Sequence, residues 1–207
     1  MDVAATLRRA GFVPVVVIER VEHAVPLAKA LVDGGLPVIE ITLRTPAALD
    51  AMKAILREVP GAIAGVGTAL SEDDLARAES AGARFAFSPG FTPAMLQAAG
   101  RGRMPFIPGV ATPAEAMQAR AEGFRVLKFF PSEQNGGIPA LNALHGPLPD
   151  LLFCPTGGIT EANWKDYRAQ PNVVAVGASW MTPPAEMAAG KWDAIRDRAR
   201  KIRGLLG

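Results

Sequence analysis

Cysteine is almost missing from this chain: Cys154 is the only one in 207 residues, which excludes an internal disulfide and fits a reducing compartment. Histidine is nearly as scarce. Neither His23 nor His145 has the neighbouring His, Cys or carboxylate spacing that holds a metal ion, so no metal and no cofactor is expected. Long apolar runs are lacking too. The opening MDVAATLRRAGFVPVVVIER has too short a run for a membrane span and no small-residue cleavage pattern of a signal peptide, which leads to the expectation of a cytoplasmic protein with no membrane partner. Neither sign of charge dominates, with 22 Lys+Arg against 20 Asp+Glu. The basic residues are scattered until Arg196–Arg203, which reads as the solvated face of a last helix and not as a nucleic-acid footprint. No Ser/Gly-rich or charged linker divides the chain, so residues 1–207 are expected to form a single domain, a size at which α/β barrels are common.

What the chain does contain is alternation. Short β-rich runs recur at Val13–Ile18, Pro37–Ile41, Ala62–Val66, Arg84–Phe87, Pro105–Ile107, Arg125–Phe129, Leu151–Cys154 and Val173–Val176. Between them lie helix-like stretches at Val21–Val32, Pro46–Glu58, Ser71–Ala81, Thr92–Ala98, Thr112–Ala121 and Thr160–Tyr167, several ending at a glycine. Gly136–Asp150 is the least regular segment, with one short helix around Pro139–Leu144. Eight such units predict an α/β protein of the closed (β/α)8 TIM-barrel type; the dinucleotide fingerprint GxGxxG, expected after the first strand of many open doubly wound sheets, does not follow Ile18.

In such a barrel the chemistry sits at the carboxyl ends of the strands, so the residues closing each run form one rim. Round that rim come Glu40-Ile-Thr-Leu-Arg44, Gly67-Thr68, Ser88-Pro89-Gly90, Pro108-Gly109, Lys128, Pro155-Thr156-Gly157-Gly158 and Gly177-Ala178-Ser179. A lone lysine at a strand end ordinarily lays its stem on apolar neighbours and keeps its ammonium in water. Apolar surroundings disfavour the charged form and can make an amine a nucleophile, and Lys128 is flanked by Leu127, Phe129 and Phe130. Side chains alternate along a strand, so with Ile39 and Ile41 facing the helices, Val38 and Glu40 point inward. The same parity turns Val126 and Lys128 inward, with Leu127 and Phe129 outward. A carboxylate and a lysine then meet in the mouth, unless Glu40 merely forms a structural ion pair with Arg44 or Lys128.

The glycines after the seventh and eighth strands are a second signal, since barrel enzymes often bind phosphate there. Gly157, Gly158 and Gly177 would let the backbone approach such a group, and Ser179 would add a hydroxyl; the alternative is ordinary tight turns. Cys154 reads as a small core residue, and Trp164, Trp180 and Trp192 as packing residues.

Taken in order, EITLRT at Glu40–Thr45, Gly67-Thr68, Ser88-Pro89-Gly90, IPG at Ile107–Gly109, LKFF at Leu127–Phe130, PTGG at Pro155–Gly158 and Ser179-Trp180 make the chain resemble the 2-keto-3-deoxy-6-phosphogluconate aldolases. The resemblance runs from Pro14 to Trp180 and takes in EHAVPLAKAL at Glu22–Leu31. It implies a metal-free class I aldolase, a homotrimeric barrel that splits the phosphorylated keto-sugar acid into pyruvate and glyceraldehyde 3-phosphate. By motif position it makes Lys128 the Schiff-base lysine and Glu40 the general acid/base. Arg44 and Thr68 would hold the carboxylate of the pyruvate half, Pro89 and Phe130 would line the pocket, and Gly157, Gly158 and Ser179 would hold the phosphate, with Thr156 near the sugar hydroxyls. Relatives acting on 4-hydroxy-2-oxoglutarate or on the galactonate epimer are the rival substrates, and a non-catalytic phosphate-binding barrel is the rival class. Three positions depart from the commoner family pattern, Val66, Ser132 and Ala178, and of these Ala178 bears on how closely the last loop approaches the phosphate.

Overall fold

The computed structural model describes residues 1–206. Its strands are β1 Phe12–Val16, β2 Val38–Thr42, β3 Ile63–Gly67, β4 Ala86–Phe87, β5 Phe106–Ile107, β6 Gly109–Val110, β7 Val126–Phe129, β8 Leu152–Pro155 and β9 Val176–Ala178. The helices are α1 Val3–Ala10, α2 Ala24–Asp33, α3 Ala48–Glu58, α4 Glu72–Ser80, α5 Pro93–Arg101, α6 Pro113–Ala121, α7 Gly137–His145, α8 Trp164–Arg168, α9 Pro184–Ala188 and α10 Trp192–Leu206. Every strand pairing is parallel, in an α/β fold whose curled main sheet has the order β5-β4-β3-β2-β1-β9. A second ladder has the order β6-β7-β8, and single bridges from Phe153 to Val173 and from Thr156 to Gly177 reach from it toward the β9 edge.

Each of the eight runs read from the sequence contains or overlaps a strand, and the fifth continues past its expected end at Ile107, across Pro108, into the short β6. Proline has no N–H to give a ladder. Its carbonyl is still used, accepting the Lys128 N–H at 2.9 Å, while Ile107 accepts the Ser88 N–H at 3.4 Å. The stretch therefore leans on β4 with its first half and on β7 with its second. The eighth run begins later than expected, because Val173 contributes only its one bridge and regular pairing to β1 starts at Phe12 and Val176.

Caps explain where several helices start. Ser71, Thr92 and Thr112 each accept the backbone N–H three residues on, and Glu115 closes a capping box on Thr112, a device worth about 1 kcal/mol per helix end. The sequence reading contained neither α1 nor α9. In α1, Asp2 caps the N-terminus and Gly11, at φ 64°, closes the other end by donating to Leu7 O at 2.8 Å. With eight residues it is too short to show a strong periodic pattern, and its Leu7 and Ala10 have meaning only through what they cover.

They cover the inside of the curled sheet. Leu7 and Ala10 pack in one cluster with Val13, Val38, Phe85, Phe87, Ile107, Val126 and Cys154, all from the inner faces of strands or strand ends. Ile39, Ile41, Leu127 and Phe129 belong to a second cluster, with helix residues such as Leu27, Leu31 and Ile55. That is the parity read from the sequence. Burying each of these larger side chains contributes about 1.5–3 kcal/mol, so a one-residue register slip of β2 or β7 would forfeit several such terms at once. Among the described residues no helix is long and apolar enough to cross a membrane.

Candidate active site

The inner face of β2 carries Val38, Glu40 and Thr42 upward in turn, and the inner face of β7 carries Val126 and then Lys128. Parallel register sets Val15 and Gly65 beside Glu40, and Gly109 and Cys154 beside Lys128. The two charged side chains converge across the interior. Lys128 Nζ lies 3.1 Å from Glu40 Oε1, with Lys128 only 4% and Glu40 only 1% exposed. Glu40 is thus paired with Lys128, and Arg44 stands exposed at the rim. The Lys128 Nζ also sits 5.4 Å from the ring centre of Phe87 and 5.2 Å from that of Phe130, within cation–π range.

Taking two charges out of water costs several kcal/mol per ion, and replacing such a pair by apolar residues of similar volume is often neutral or stabilising. A buried Lys–Glu pair is therefore poorly explained as a stability device. It opens, moreover, into a cavity of about 270 Å³. Every residue the sequence nominated lines that cavity: Lys128 and Glu40 with Arg44, Thr68, Pro89 and Phe130, and Thr156, Gly157, Gly158, Gly177 and Ser179 on the other side.

The backbone shows how tightly the site is built. Thr68 has φ 61°, a left-handed conformation rare for a β-branched residue, directly after Gly67. A Cβ on Gly67 would run into the Glu40 carboxylate, and one on Gly177 into the Thr156 hydroxyl, so these two glycines make room and are not needed for turning. Gly177 was expected to admit an anion; its nearest obligation is to Thr156. Gly157 and Gly158, at φ 92° and 77°, do require glycine for their conformation. Thr156 is 6% exposed, and its hydroxyl reaches only a long 3.4 Å contact to the Cys154 carbonyl, which leaves it free to prefer a better acceptor or donor.

Cys154 faces the same interior but is no nucleophile. Burial, followed by the nearby Glu40 carboxylate, pushes its thiol up to about 12, so the thiolate is scarce at neutral pH. Among the described residues no group of three or more His, Cys, Asp and Glu side chains is placed to hold a metal ion.

Four participants escaped the sequence reading. Thr42 continues the inward parity of Val38 and Glu40 by one more step and lines the cavity, its hydroxyl donating to Val16 O at 3.1 Å. Phe87 follows Phe85 on the inner face in the same way, and extending the alternation by two residues would have found both. Val15 faces Glu40 from β1, which only register reveals. Ile159 enters through its place in the loop after β8, for which the sequence has no signal.

Comparison with known proteins places these features in context. The family described as Aldolase: KDPG and KHG aldolase matches residues 3–198. The KHG/KDPG aldolase of Escherichia coli (strain K12) is 50% identical over 189 residues, 91% of this chain and 89% of that protein. A 2-dehydro-3-deoxy-phosphogluconate aldolase of Zymomonas mobilis is 42% identical over 202 residues, covering 98% of this chain and 97% of its own. Among solved structures, the KDPG aldolase of Legionella pneumophila, with pyruvate captured at low pH as a covalent carbinolamine intermediate, superposes with a TM-score of 0.95 at 39% identity over 98% of each chain.

Proposed function

Because this chain belongs to the KDPG and KHG aldolase family, we propose that its cavity cleaves 2-dehydro-3-deoxy-6-phosphogluconate to pyruvate and glyceraldehyde 3-phosphate through a Schiff base on Lys128. The observation that carries the assignment is the buried Lys128–Glu40 pair, 3.1 Å apart at the floor of the cavity.

Each step has a residue for it. Glu40 accepts the Lys128 proton across the contact that the structure displays, and the free amine adds to the C2 ketone to form a carbinolamine. Glu40 gives that proton to the carbinolamine hydroxyl, which leaves as water, and the resulting iminium draws electrons from C3. Glu40, relieved of its proton, then takes the proton of the C4 hydroxyl while the C3–C4 bond breaks; the aldehyde leaves and an enamine remains. Glu40 passes the proton it took from the C4 hydroxyl to C3 of the enamine, and hydrolysis of the iminium so formed releases pyruvate and returns the amine. Arg44 and Thr68 hold the substrate carboxylate in this reading, Pro89 and Phe130 bound the pocket, and the Gly157–Gly158 loop with Ser179 takes the phosphate. The buried floor excludes bulk water from the enamine.

The two ladders are taken to close into one eight-stranded (β/α)8 barrel, with Phe106–Val110 counted as a single strand bent at Pro108, a closure supported by the Phe153–Val173 and Thr156–Gly177 bridges. A single domain, assembly as a homotrimer and residence in the cytoplasm belong to the same reading: the first is supported by the shared cores, the others by the family resemblance and the lone buried Cys154. Cleavage of 4-hydroxy-2-oxoglutarate is a second activity to measure, since it needs only Lys128, Glu40 and the carboxylate contacts, and the Escherichia coli relative carries both substrates in its name.

Pyruvate with borohydride tests the assignment: irreversible inactivation is expected, with a covalent mass confined to the peptide that contains Lys128. Labelling at another lysine, or none, would remove the Schiff base from this site. Thr156 provides a substrate-level check. Its loosely held hydroxyl is positioned to meet the C4 or C5 hydroxyl, and a site that hydrogen-bonds a substrate OH discriminates better than an apolar pocket. Thr156→Val is therefore expected to reduce the preference for the gluconate over the galactonate epimer by about tenfold, the worth of one neutral hydrogen bond, with pyruvate trapping unchanged. An unaltered ratio of kcat/KM values would show that the hydroxyl serves only the backbone.

A further inference from the structure

Below the Gly157–Gly158 loop lies a polar contact that the mechanism does not use. Tyr167, from α8 and only 1% exposed, donates its hydroxyl to Glu133 Oε1, at the start of the short 3-10 turn Glu133–Asn135 that follows β7. Glu133 is not an idle surface carboxylate. Its backbone N–H donates to Gly157 O at 3.1 Å, and the preceding Ser132 N–H donates to Thr156 O at 2.8 Å. Its side-chain stem rests so closely on Gly158 that a Cβ there would overlap it. Gly137 makes room in turn for the phenol, since a Cβ at that position would stand 3.0 Å from Tyr167 Oη.

The consequence for the loop follows from peptide geometry. In a trans peptide the C=O of one residue and the N–H of the next point opposite ways. The Gly157 carbonyl is turned to the Glu133 N–H, and the Gly158 carbonyl to Asn163 Nδ2 at 3.1 Å. Both carbonyls being drawn away, the Gly158 and Ile159 N–H groups are left for the other side, and both residues line the cavity. Two convergent amides without a competing carbonyl form an anion cradle.

We infer that Glu133 and Tyr167 are positioning residues that hold the Gly157–Gly158 loop in its anion-accepting form and so set the preference for a phosphorylated over an unphosphorylated substrate, an inference that rests on the phosphate contact proposed above. A carboxylate free to swing toward a phosphate monoester would repel it; the hydrogen bond from Tyr167 ties the Glu133 carboxylate to a residue that, like Glu133 itself, does not line the cavity. Burial, and then the Glu133 carboxylate, push the Tyr167 hydroxyl up to about 12, so it remains a donor at neutral pH.

The test compares wild type with Tyr167→Phe, Glu133→Ala and Glu133→Gln on 2-dehydro-3-deoxy-6-phosphogluconate and on its dephosphorylated form, with pyruvate–borohydride trapping as a measure of the Lys128 site alone. Tyr167→Phe and Glu133→Ala are expected to lower kcat/KM for the phosphorylated substrate by about tenfold, chiefly through KM, the worth of one charge-assisted hydrogen bond. Turnover of the dephosphorylated substrate and pyruvate trapping should stay at the wild-type level. Glu133→Gln, whose amide oxygen still accepts from Tyr167, should retain most of the preference. Equal losses on both substrates, or a Tyr167→Phe enzyme with the wild-type preference, would overturn the positioning role while leaving the phosphate contact in place. A wild-type enzyme that shows no preference would remove the phosphate contact itself, and this inference with it.

Discussion

Lys128→Ala is expected to abolish pyruvate trapping and to lower kcat/KM for aldol cleavage by about 10⁵-fold or more, the scale on which removal of a covalent nucleophile acts. Among the described residues no other lysine and no cysteine lines the cavity to take its place, and Cys154, its thiol pushed up to about 12, is scarcely thiolate at neutral pH. The substitution also strands Glu40, 1% exposed, without its ion-pair partner, at a cost of about 3–5 kcal/mol in folding stability. Activity and stability must therefore be read separately. The paired variant Lys128→Met/Glu40→Met replaces both charges by apolar side chains of similar length, and it is expected to fold at least as stably as wild type while remaining inactive. Melting temperatures of the three proteins, measured beside turnover, distinguish a lost nucleophile from a lost fold. Residual cleavage by Lys128→Ala within tenfold of wild type would end the assignment.

The second large effect belongs to Glu40. Glu40→Gln keeps the shape of the side chain and its hydrogen bond to Lys128, but it takes away the group proposed to carry protons between the lysine, the carbinolamine and the C4 hydroxyl. A loss of about 10²–10⁴-fold in kcat is expected, the usual contribution of a positioned acid/base. KM should change far less, because the proposed carboxylate and phosphate contacts lie elsewhere in the cavity. Trapping of pyruvate on Lys128 should still occur, more slowly, since amine addition survives with water as the proton acceptor. A variant that traps pyruvate and cleaves substrate at wild-type rates would reduce Glu40 to a structural counter-ion, the very alternative that the buried geometry argues against.

Much of this site is legible before any fold is seen, and the reason is local. Strand side chains alternate, so Ile39/Ile41 against Val38/Glu40, and Leu127/Phe129 against Val126/Lys128, carry their own inside and outside; the two hydrophobic clusters divide along the same parity. The glycines of Pro155–Gly158 are likewise explicit, since positive φ at two successive positions leaves few alternatives. Thr42 and Phe87 were within reach of the same alternation. By itself, then, the sequence determined which side chains of each strand turn inward, which strand ends carry polar residues, and which family the motifs resemble.

Tertiary structure alone decided the rest, because it depends on separations of many residues in the chain. That Glu40 pairs with Lys128 and not with its near neighbour Arg44 is a matter of strand order and register, which bring residues 88 apart in sequence to 3.1 Å. That Gly67 and Gly177 are small to spare Glu40 and Thr156 is a fact about packing across strands, invisible in a string of residues. The short α1 has too few turns to announce itself, and it acquires its role only when Leu7 and Ala10 meet the inner cluster. The contact of Tyr167 with Glu133 joins α8 to the turn after β7, and only the curling of the sheet brings that turn against Gly158. Alternation and turn chemistry are written residue by residue; distance across a curled sheet is set by the closure of the whole.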